Sequence, residues 1–273
     1  MDAHTSGDEN TAVGQAALSA NTTGSKNTTL GYLTLAANTT GDDNIALGVG
    51  ALYANTTASD NIAIGKSAAA ANTTGTRNTA IGWEAYYGGD TENDNIAIGF
   101  QVMTTNTAGG NANVAVGNYA LDALTSGDGN VALGHMTLSA TNAGRHNVGV
   151  GYRALYTNTT ADNNVAVGKE AMFYNTTGDE NVAIGNQSLT ANTTGASNLA
   201  IGTNALTANT TAENNLALGR NTLSANTTGV RNMAIGRGAY YGSDTENDNT
   251  AIGYAAMTTN TAGGQYNVAI GSY

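Results

Sequence analysis

The sequence predicts an all-β protein, a parallel β-solenoid (β-roll) of about sixteen 17-residue coils, from two observations. The first is a tandem repeat that opens on Asn and recurs every 17 residues, except for two 18-residue steps, Asn95 to Asn113 and Asn249 to Asn267. The second is its consensus, N-x-A-[VIL]-G-x-x-A-L-x-A-N-T-T-G-x-x, numbered below from position 1 at the opening Asn to position 17. Seventeen residues are too few to bury an apolar face alone, so each repeat must stack on its neighbours.

A helical solenoid is the competing architecture. Helical repeats usually need roughly 30 residues or more. This repeat has Gly at position 5 in every copy, clusters of Asn and Thr, and β-branched residues between them. Those residues are turn and strand signals, and they favour the β-solenoid.

The segment from position 1 to position 5 reads as the first strand of each coil, where side chains alternate between two faces. We expect the aliphatic side chains at position 4, with those at position 2, to face the coil interior. The Ala residues at position 3 then form an outward row, which is our candidate for a lateral oligomer interface. The interior set includes Val13, Ile45, Leu47, Ile62, Ile64, Ile81, Ile96, Ile98, Val114, Val116, Val131, Leu133, Val150, Val165, Val167 and Ile184, and the outward row includes Ala12, Ala46, Ala63, Ala80, Ala97 and Ala115.

A second strand is predicted around the Ala-Leu pair at positions 8 and 9, for example Ala17-Leu18 and Ala205-Leu206. Leu then supplies a second core ladder. The Asn-Thr-Thr-Gly that follows reads as a corner. Identical Asn side chains stacked from coil to coil can form hydrogen-bonded ladders.

A longer repeat divides the chain into two homologous blocks, 1–120 with seven repeats and 121–273 with nine, the second continuous with the first. The segment AYYGGDTENDNIAIG at 85–99 matches AYYGSDTENDNTAIG at 239–253, and LDALTSGDGN at 121–130 matches MDAHTSGDEN at 1–10. The last half-coil of the chain and its first half-coil would together make about one coil, as the corresponding segments do at the join between the blocks. We therefore expect head-to-tail stacking into a filament; the alternative is that the segment belongs to a longer repeat protein.

Composition limits the partners. The net charge is −11 with only nine Lys and Arg, which argues against a nucleic-acid partner. No apolar run approaches the roughly 20 residues of a membrane span, and no signal peptide is apparent at the N-terminus. The absence of Cys excludes disulfides and zinc–thiolate sites.

Catalysis is not expected. His4, His135 and His146 occupy different repeat positions, there is no Cys, and no Ser has the context of a nucleophile elbow. No catalytic residue and no organic cofactor are therefore assigned. The acidic pairs at the corners occupy different repeat positions from coil to coil, as is usual for side chains on a solvent-exposed face.

One acidic motif suggests a metal. Asp90, Glu92 and Asp94 alternate, so an extended segment would present all three on one side, and oxygen ligands at that spacing suit Ca²⁺. The motif recurs as Asp244, Glu246 and Asp248. The calcium-loop Gly and the distal Glu are missing, and the alternative is a polar corner that marks the ends of the blocks.

Three further features have a functional and a structural interpretation. The Asn-Thr-Thr triplets are formal N-glycosylation acceptors, but glycans on coils about 4.8 Å apart would crowd, so we interpret the triplets as structural. The aromatic cluster Trp83, Tyr86 and Tyr87, echoed by Tyr240 and Tyr241, could stack on sugar rings or pack within the protein. The Thr ladders suggest ice binding, although adjacent Thr residues point to opposite sides, so only one column can face out.

The repeat resembles known fibre proteins. The Asn-x-Ala-Ile-Gly pattern is similar to the head repeats of trimeric autotransporter adhesins, and NTAVGQAALSANTTG at 10–24 looks like repeats in phage tail fibres. The resemblance covers essentially the whole chain and implies a surface-exposed fibre, often trimeric, involved in attachment. We therefore expect a structural, filament-forming protein at a cell surface, in the extracellular space or on a virion, with itself and a cell-surface glycan or receptor as partners. The alternatives are a segment of a trimeric tail fibre or adhesin head, and an ice-binding protein.

Overall fold

The structure, a computed structural model, describes residues 6–106, 108–242, 244–259 and 263–273. It divides into two compact units, 1–135 and 136–273, which share one design. This division does not test the predicted sequence blocks, 1–120 and 121–273, which stay a prediction. Residues 1–5 lie outside the described residues. They include His4 and the first half of the segment MDAHTSGDEN at 1–10, on which the predicted head-to-tail stacking depends.

Each unit is a ladder of three-residue strands, one strand per coil. In unit 1 they are β1 (Thr11–Val13), β2 (Thr28–Leu30), β3 (Ile45–Leu47), β4 (Ile62–Ile64), β5 (Thr79–Ile81), β6 (Ile96–Ile98), β7 (Val114–Val116) and β8 (Val131–Leu133). In unit 2 they are β9 (Val148–Val150), β10 (Val165–Val167), β11 (Val182–Ile184), β12 (Leu199–Ile201), β13 (Leu216–Leu218), β14 (Met233–Ile235), β15 (Thr250–Ile252) and β16 (Val268–Ile270).

Neighbouring strands are parallel and in register, so equivalent positions of consecutive repeats lie side by side. Ile45 pairs with Ile62 and Ala46 with Ala63 in unit 1, and Val182 pairs with Leu199 in unit 2. The predicted all-β parallel solenoid with 17-residue spacing is confirmed.

The predicted second strand is wrong. Ala17-Leu18 lies in a turn over residues 15–20, and Ala205-Leu206 lies in a turn over residues 203–208. Positions 7 and 9 both have positive φ, for example 55° at Ala16 and 52° at Leu18. Two left-handed residues so close together coil the backbone tightly, which a strand cannot accommodate. The Leu residues nevertheless form the predicted core ladder, since Leu18, Leu52, Leu155 and Leu206 are completely buried.

The predicted orientation of the strand is also wrong. The side chains at position 3 point inward, whereas the aliphatic side chains at positions 2 and 4 point outward. Ala46, Ala63, Ala80, Ala97 and Ala115 are fully buried, and Ala12 is half-buried. In each of these three-residue strands, the central side chain is the one that points inward, and its two neighbours point outward. The inner space already holds Leu at position 9 and two Asn side chains, and only a small residue fits opposite them.

Two Asn ladders run through the interior, as predicted for stacked Asn. At position 1, the backbone N–H of each Asn donates to the Oδ1 of the Asn one coil earlier, as from Asn27 to Asn10 at 2.9 Å. At position 12, the side-chain amides bond to each other, as from Nδ2 of Asn38 to Oδ1 of Asn21 at 2.9 Å. Most of these buried amide groups pair with one another or with the corner carbonyls, so polar side chains are tolerated in the interior. The Oδ1 atoms of Asn72, Asn106, Asn158 and Asn226 are exceptions.

The Gly at position 5 is required by both conformation and space. Gly185 has a φ of 134°, a region that other residues rarely adopt. A Cβ there would lie 2.7 Å from the carbonyl carbon of Gly202 in the next coil. The chain therefore turns away from each strand at a site where only Gly fits.

Candidate functional site

Each unit exposes an aliphatic face, defined as the first and third residues of its strands. In unit 1 the third residue is aliphatic in every strand, and the first is aliphatic except at Thr11, Thr28 and Thr79. Its exposed members include Leu30, at 53% of its surface, and Ile64, at 36%. The face therefore forms two apolar columns beside each other on one side of the sheet.

Unit 2 has the same face with fewer interruptions. The third residue of every strand is aliphatic and the first is apolar except at Thr250. Ile184, Ile201 and Met233 are exposed at 38%, 37% and 39%. Contiguous apolar patches on a soluble chain usually mark a surface that binds another molecule. The candidate lateral interface is therefore this face, and the predicted Ala row cannot serve because it is buried.

The acidic corner at 90–94 does not present its three carboxylates on one side. Glu92 is 2% exposed, and its Oε2 accepts from the backbone N–H groups of Asp90 at 2.8 Å and Thr91 at 3.1 Å. Its Oε1 accepts from the N–H of Gly109 in the next coil at 3.0 Å. The Glu92 carboxylate therefore closes the corner by binding backbone amides.

The second corner repeats this arrangement at Glu246, whose Oε2 accepts from Asp244 and Thr245 and whose Oε1 accepts from Gly263. Burial alone would raise the pKa of the Glu246 carboxyl, but these N–H donors outweigh burial and hold that pKa below its ordinary value. The carboxylate is thus charged and internally satisfied at neutral pH.

The third acid of each corner pairs with Arg in the preceding coil, and its side chain is 47% exposed at Asp94 and 20% exposed at Asp248. Nε of Arg77 lies 2.6 Å from Oδ1 of Asp94, and Arg231 bonds to Asp248 at the same distance. Hydrogen bonding to these guanidinium groups lowers the pKa of both Asp carboxyls. Across the part of the chain that the structure describes, no three acidic or His side chains form a group suited to a metal ion. Calcium binding stays a prediction, which a calorimetric titration with Ca²⁺ tests.

The predicted aromatic cluster separates into buried and exposed residues. Tyr86 and Tyr240 occupy the core position of Leu and are fully buried. The hydroxyl of Tyr86 accepts from Nδ2 of Asn95 at 2.9 Å, and that of Tyr240 from Nδ2 of Asn249 at 2.7 Å. Burial, reinforced by the nearby Glu92 carboxylate, raises the pKa of the Tyr86 hydroxyl well above its ordinary value. The buried Tyr residues therefore cannot stack on a sugar.

Trp83 and Tyr87 are exposed. The Trp83 ring meets Phe100 edge to face with centroids 5.3 Å apart, and Phe100 meets Tyr119 in the same way. Nζ of Lys66 lies 5.4 Å from the centroid of the Trp83 ring. These rings form an aromatic strip that follows the coils beside the aliphatic face of unit 1.

The Asn-Thr-Thr triplets have a structural role. Their Asn side chains form the buried ladder at position 12. The first Thr of each triplet donates from its hydroxyl to the neighbouring coil, as from Thr39 Oγ1 to the carbonyl of Thr56 at 3.0 Å. Only the second Thr is exposed, as at Thr40, so a single Thr column faces out, as expected.

His135 and His146 stand at different repeat positions, and His135 faces the ring of Tyr119. Within the described residues, no helix is long and apolar enough to cross a bilayer.

Comparison of the chain with protein-family models, curated proteins and solved structures finds no match.

Proposed function

We propose that this chain is a structural, non-enzymatic fibre protein that assembles with further copies of itself and has a surface attachment role. The observation that carries the proposal is the exposed aliphatic face of each unit. Branched apolar side chains are repeated there in every coil, on the outer side of a sheet. A repeat protein that needed only solubility would carry polar residues at these positions.

Lateral assembly accounts for this face. Burying apolar surface contributes about 25 cal/mol per Å², so two columns over eight coils supply a large driving force for association. The same periodicity in each copy makes the columns self-complementary along the solenoid. The resemblance to adhesin heads and tail fibres favours a trimer, in which three faces surround a common axis.

Head-to-tail stacking adds a second mode of assembly. The first and last half-coils of the sequence match the two halves of the coil at the join between the blocks. A junction of the same kind between two copies would continue the ladder in register. The resulting fibre suits a cell surface, the extracellular space or a virion.

A charge on the aliphatic face tests the lateral mode. We expect the Ile184→Asp/Ile201→Asp variant to sediment as a single chain, whereas the unsubstituted protein sediments as an oligomer, because two buried carboxylates would oppose association. Thr194→Asp is the matched control, since Thr194 is exposed on the corner. Analytical ultracentrifugation gives the masses, and an unsubstituted protein that sediments as one chain at all concentrations would contradict lateral assembly.

Electron microscopy of the same samples tests the axial mode. Filaments many subunits long are expected. Discrete rods of a single subunit's length would refute head-to-tail stacking and leave lateral assembly in place.

A further inference from the structure

A polar groove crosses several coils of unit 2. Two adjacent hollows form it, and they share Gln187. The first has a volume of about 310 Å³ and is lined by Arg153, Glu170, Phe173, Tyr174, Gln187 and Thr190. The second has a volume of about 370 Å³ and is lined by Gln187, Asn204, Thr207, Asn221, Ser224 and Tyr241. Each falls in the range of about 300–1,000 Å³ typical of ligand pockets.

The solenoid arranges the lining in two rows. Gln187, Asn204 and Asn221 occupy position 7 of consecutive coils and form an amide row. Thr190, Thr207 and Ser224 occupy position 10 of the same coils and form a hydroxyl row beside it. The rows lie on the turn segment of the coil, whereas the aliphatic face lies on its strand, so lateral assembly and the groove use different residues.

Contacts within the protein hold these side chains in place. Nε2 of Gln187 donates to Oε2 of Glu170 at 2.9 Å, and Nδ2 of Asn204 donates to Oδ1 of Asn221 at 3.3 Å. The hydroxyl of Thr207 donates to the carbonyl of Gln187 at 3.2 Å. The groove is therefore ordered before a ligand binds, which reduces the entropy cost of binding.

The lining suits a sugar chain. A side-chain amide has two N–H donors and an acceptor oxygen, and a hydroxyl both donates and accepts, which matches the hydroxyls of a sugar. Tyr174 and Tyr241 lie at opposite ends, exposed at 53% and 52%, and aromatic rings stack on the C–H faces of sugar rings. The spacing of the coils, about 4.8 Å, is close to the length of one pyranose ring in an extended chain.

Charge selects a neutral ligand. The lining has one cation, Arg153, and one anion, Glu170, so the groove has no net charge. The chain as a whole has a net charge of −11, which repels anionic polymers. An extended peptide would bind by pairing with a free strand edge, whereas this groove lies on the turn segments of the coils.

We propose that the groove binds a neutral glycan chain laid along the stack of coils. Tyr174 and Tyr241 stack on sugar rings at its ends, and the amide and hydroxyl rows bind the sugar hydroxyls between them. This inference rests on the proposed attachment function and names its ligand class and its site.

The homologous unit 1 segment supplies a matched control. Tyr87 is the counterpart of Tyr241 in AYYGGDTEN and AYYGSDTEN, and both are about half exposed. The position 7 residues of the three coils before that of Tyr87 are Leu33, Gly50 and Ser67, which form no amide row. Tyr87→Ala therefore removes the same ring from the same turn without affecting the groove.

Calorimetric titration of the full chain with linear hexasaccharides tests the proposal, using β-1,4-linked glucose, β-1,4-linked N-acetylglucosamine and α-1,4-linked glucose. We expect at least one to bind, and binding to weaken about two- to tenfold in Tyr241→Ala and in Gln187→Ala. Tyr87→Ala is expected to bind like the unsubstituted protein.

Three outcomes would overturn the inference: no binding by any of the three sugars, equal weakening by Tyr87→Ala and Tyr241→Ala, or groove-dependent binding of gelatin in place of sugar, which would assign the groove to a peptide.

Sedimentation of the same samples separates this inference from the proposed fibre. An intact oligomer without sugar binding refutes the groove alone, and a single chain that still binds sugar refutes the assembly alone.

Discussion

Tyr86 and Gly89 replace the Leu and the Asn of the consensus, and the two replacements compensate each other in volume. A Cβ on Gly89 would lie 2.3 Å from the Tyr86 ring, because that ring occupies the space of the missing Asn. The Tyr86 hydroxyl accepts from Nδ2 of Asn106 at 3.4 Å, in place of the missing amide oxygen. Oδ1 of Asn72, one coil earlier, has no hydrogen-bond partner. The ladder at position 12 is thus interrupted in this coil, where the Tyr86 ring fills the space of the missing Asn side chain.

A double-mutant cycle tests this compensation. Tyr86→Leu should destabilise the protein by about 2–4 kcal/mol, because it leaves a cavity and unpaired amides. Gly89→Asn should also destabilise it, by about 1–3 kcal/mol, because of overpacking against the ring. Together they restore the consensus, so the double variant should be more stable than the sum predicts, as urea unfolding would show. Additive effects would contradict the compensation.

Glu246 gives a prediction about pH. Its native pKa lies below the ordinary value of 4.5, so the unfolded chain binds more protons near that pH. The stabilisation is fully present above the unfolded pKa and is lost as pH falls through the lower native pKa. In Glu246→Gln, thermal unfolding should show a lower melting temperature at pH 7 and a weaker loss of stability under acid. Glu213→Gln, at an exposed corner, serves as the control and should match the unsubstituted protein.

At the scale of the element, the Asn ladder at position 1 connects each strand to the next coil. Oδ1 of Asn198 accepts from the backbone N–H of Asn215 at 3.0 Å, and its Nδ2 donates to the carbonyl of Ala212 at 2.8 Å. The side chain is 1% exposed, so water cannot replace these partners. Each Asn side chain of this ladder therefore connects a strand to a corner.

Removing one Asn side chain from the ladder at position 1 should destabilise the solenoid. We expect Asn198→Ala to lower the free energy of unfolding by about 2–5 kcal/mol, because it leaves a buried donor and a buried acceptor unpaired. Asn186→Ala is the matched control, since Asn186 is exposed, and its effect should stay within about 0.5 kcal/mol. Chemical denaturation measures both, and similar losses in the two variants would show that the ladder contributes little.

At the scale of the whole molecule, each unit combines an interior that contains hydrogen-bonded Asn ladders with an apolar exterior on its strands. Ala residues, the Leu ladder and Asn amides fill the interior, and branched aliphatic residues lie on the outer face of the sheet. Apolar surface that a single chain leaves exposed is stabilising only when a partner covers it. The distribution of hydrophobic residues therefore supports assembly with further copies as the state in which the chain functions.

The sequence by itself determined the coil: the 17-residue period, the strand that ends at Gly, the Leu ladder and the stacked Asn all follow from the residues. It did not determine which side of the strand faces inward, because period-two alternation defines two faces without ranking them. The tertiary structure decided this, since Leu and two Asn side chains leave room only for a small residue, which is Ala in most coils and Thr29 in the second. It also placed Glu92 inside the corner and Asp94 outside, because that segment bends. Finally, the polar groove forms only when equivalent positions stack, so its rows lie 17 residues apart in the chain and side by side in space.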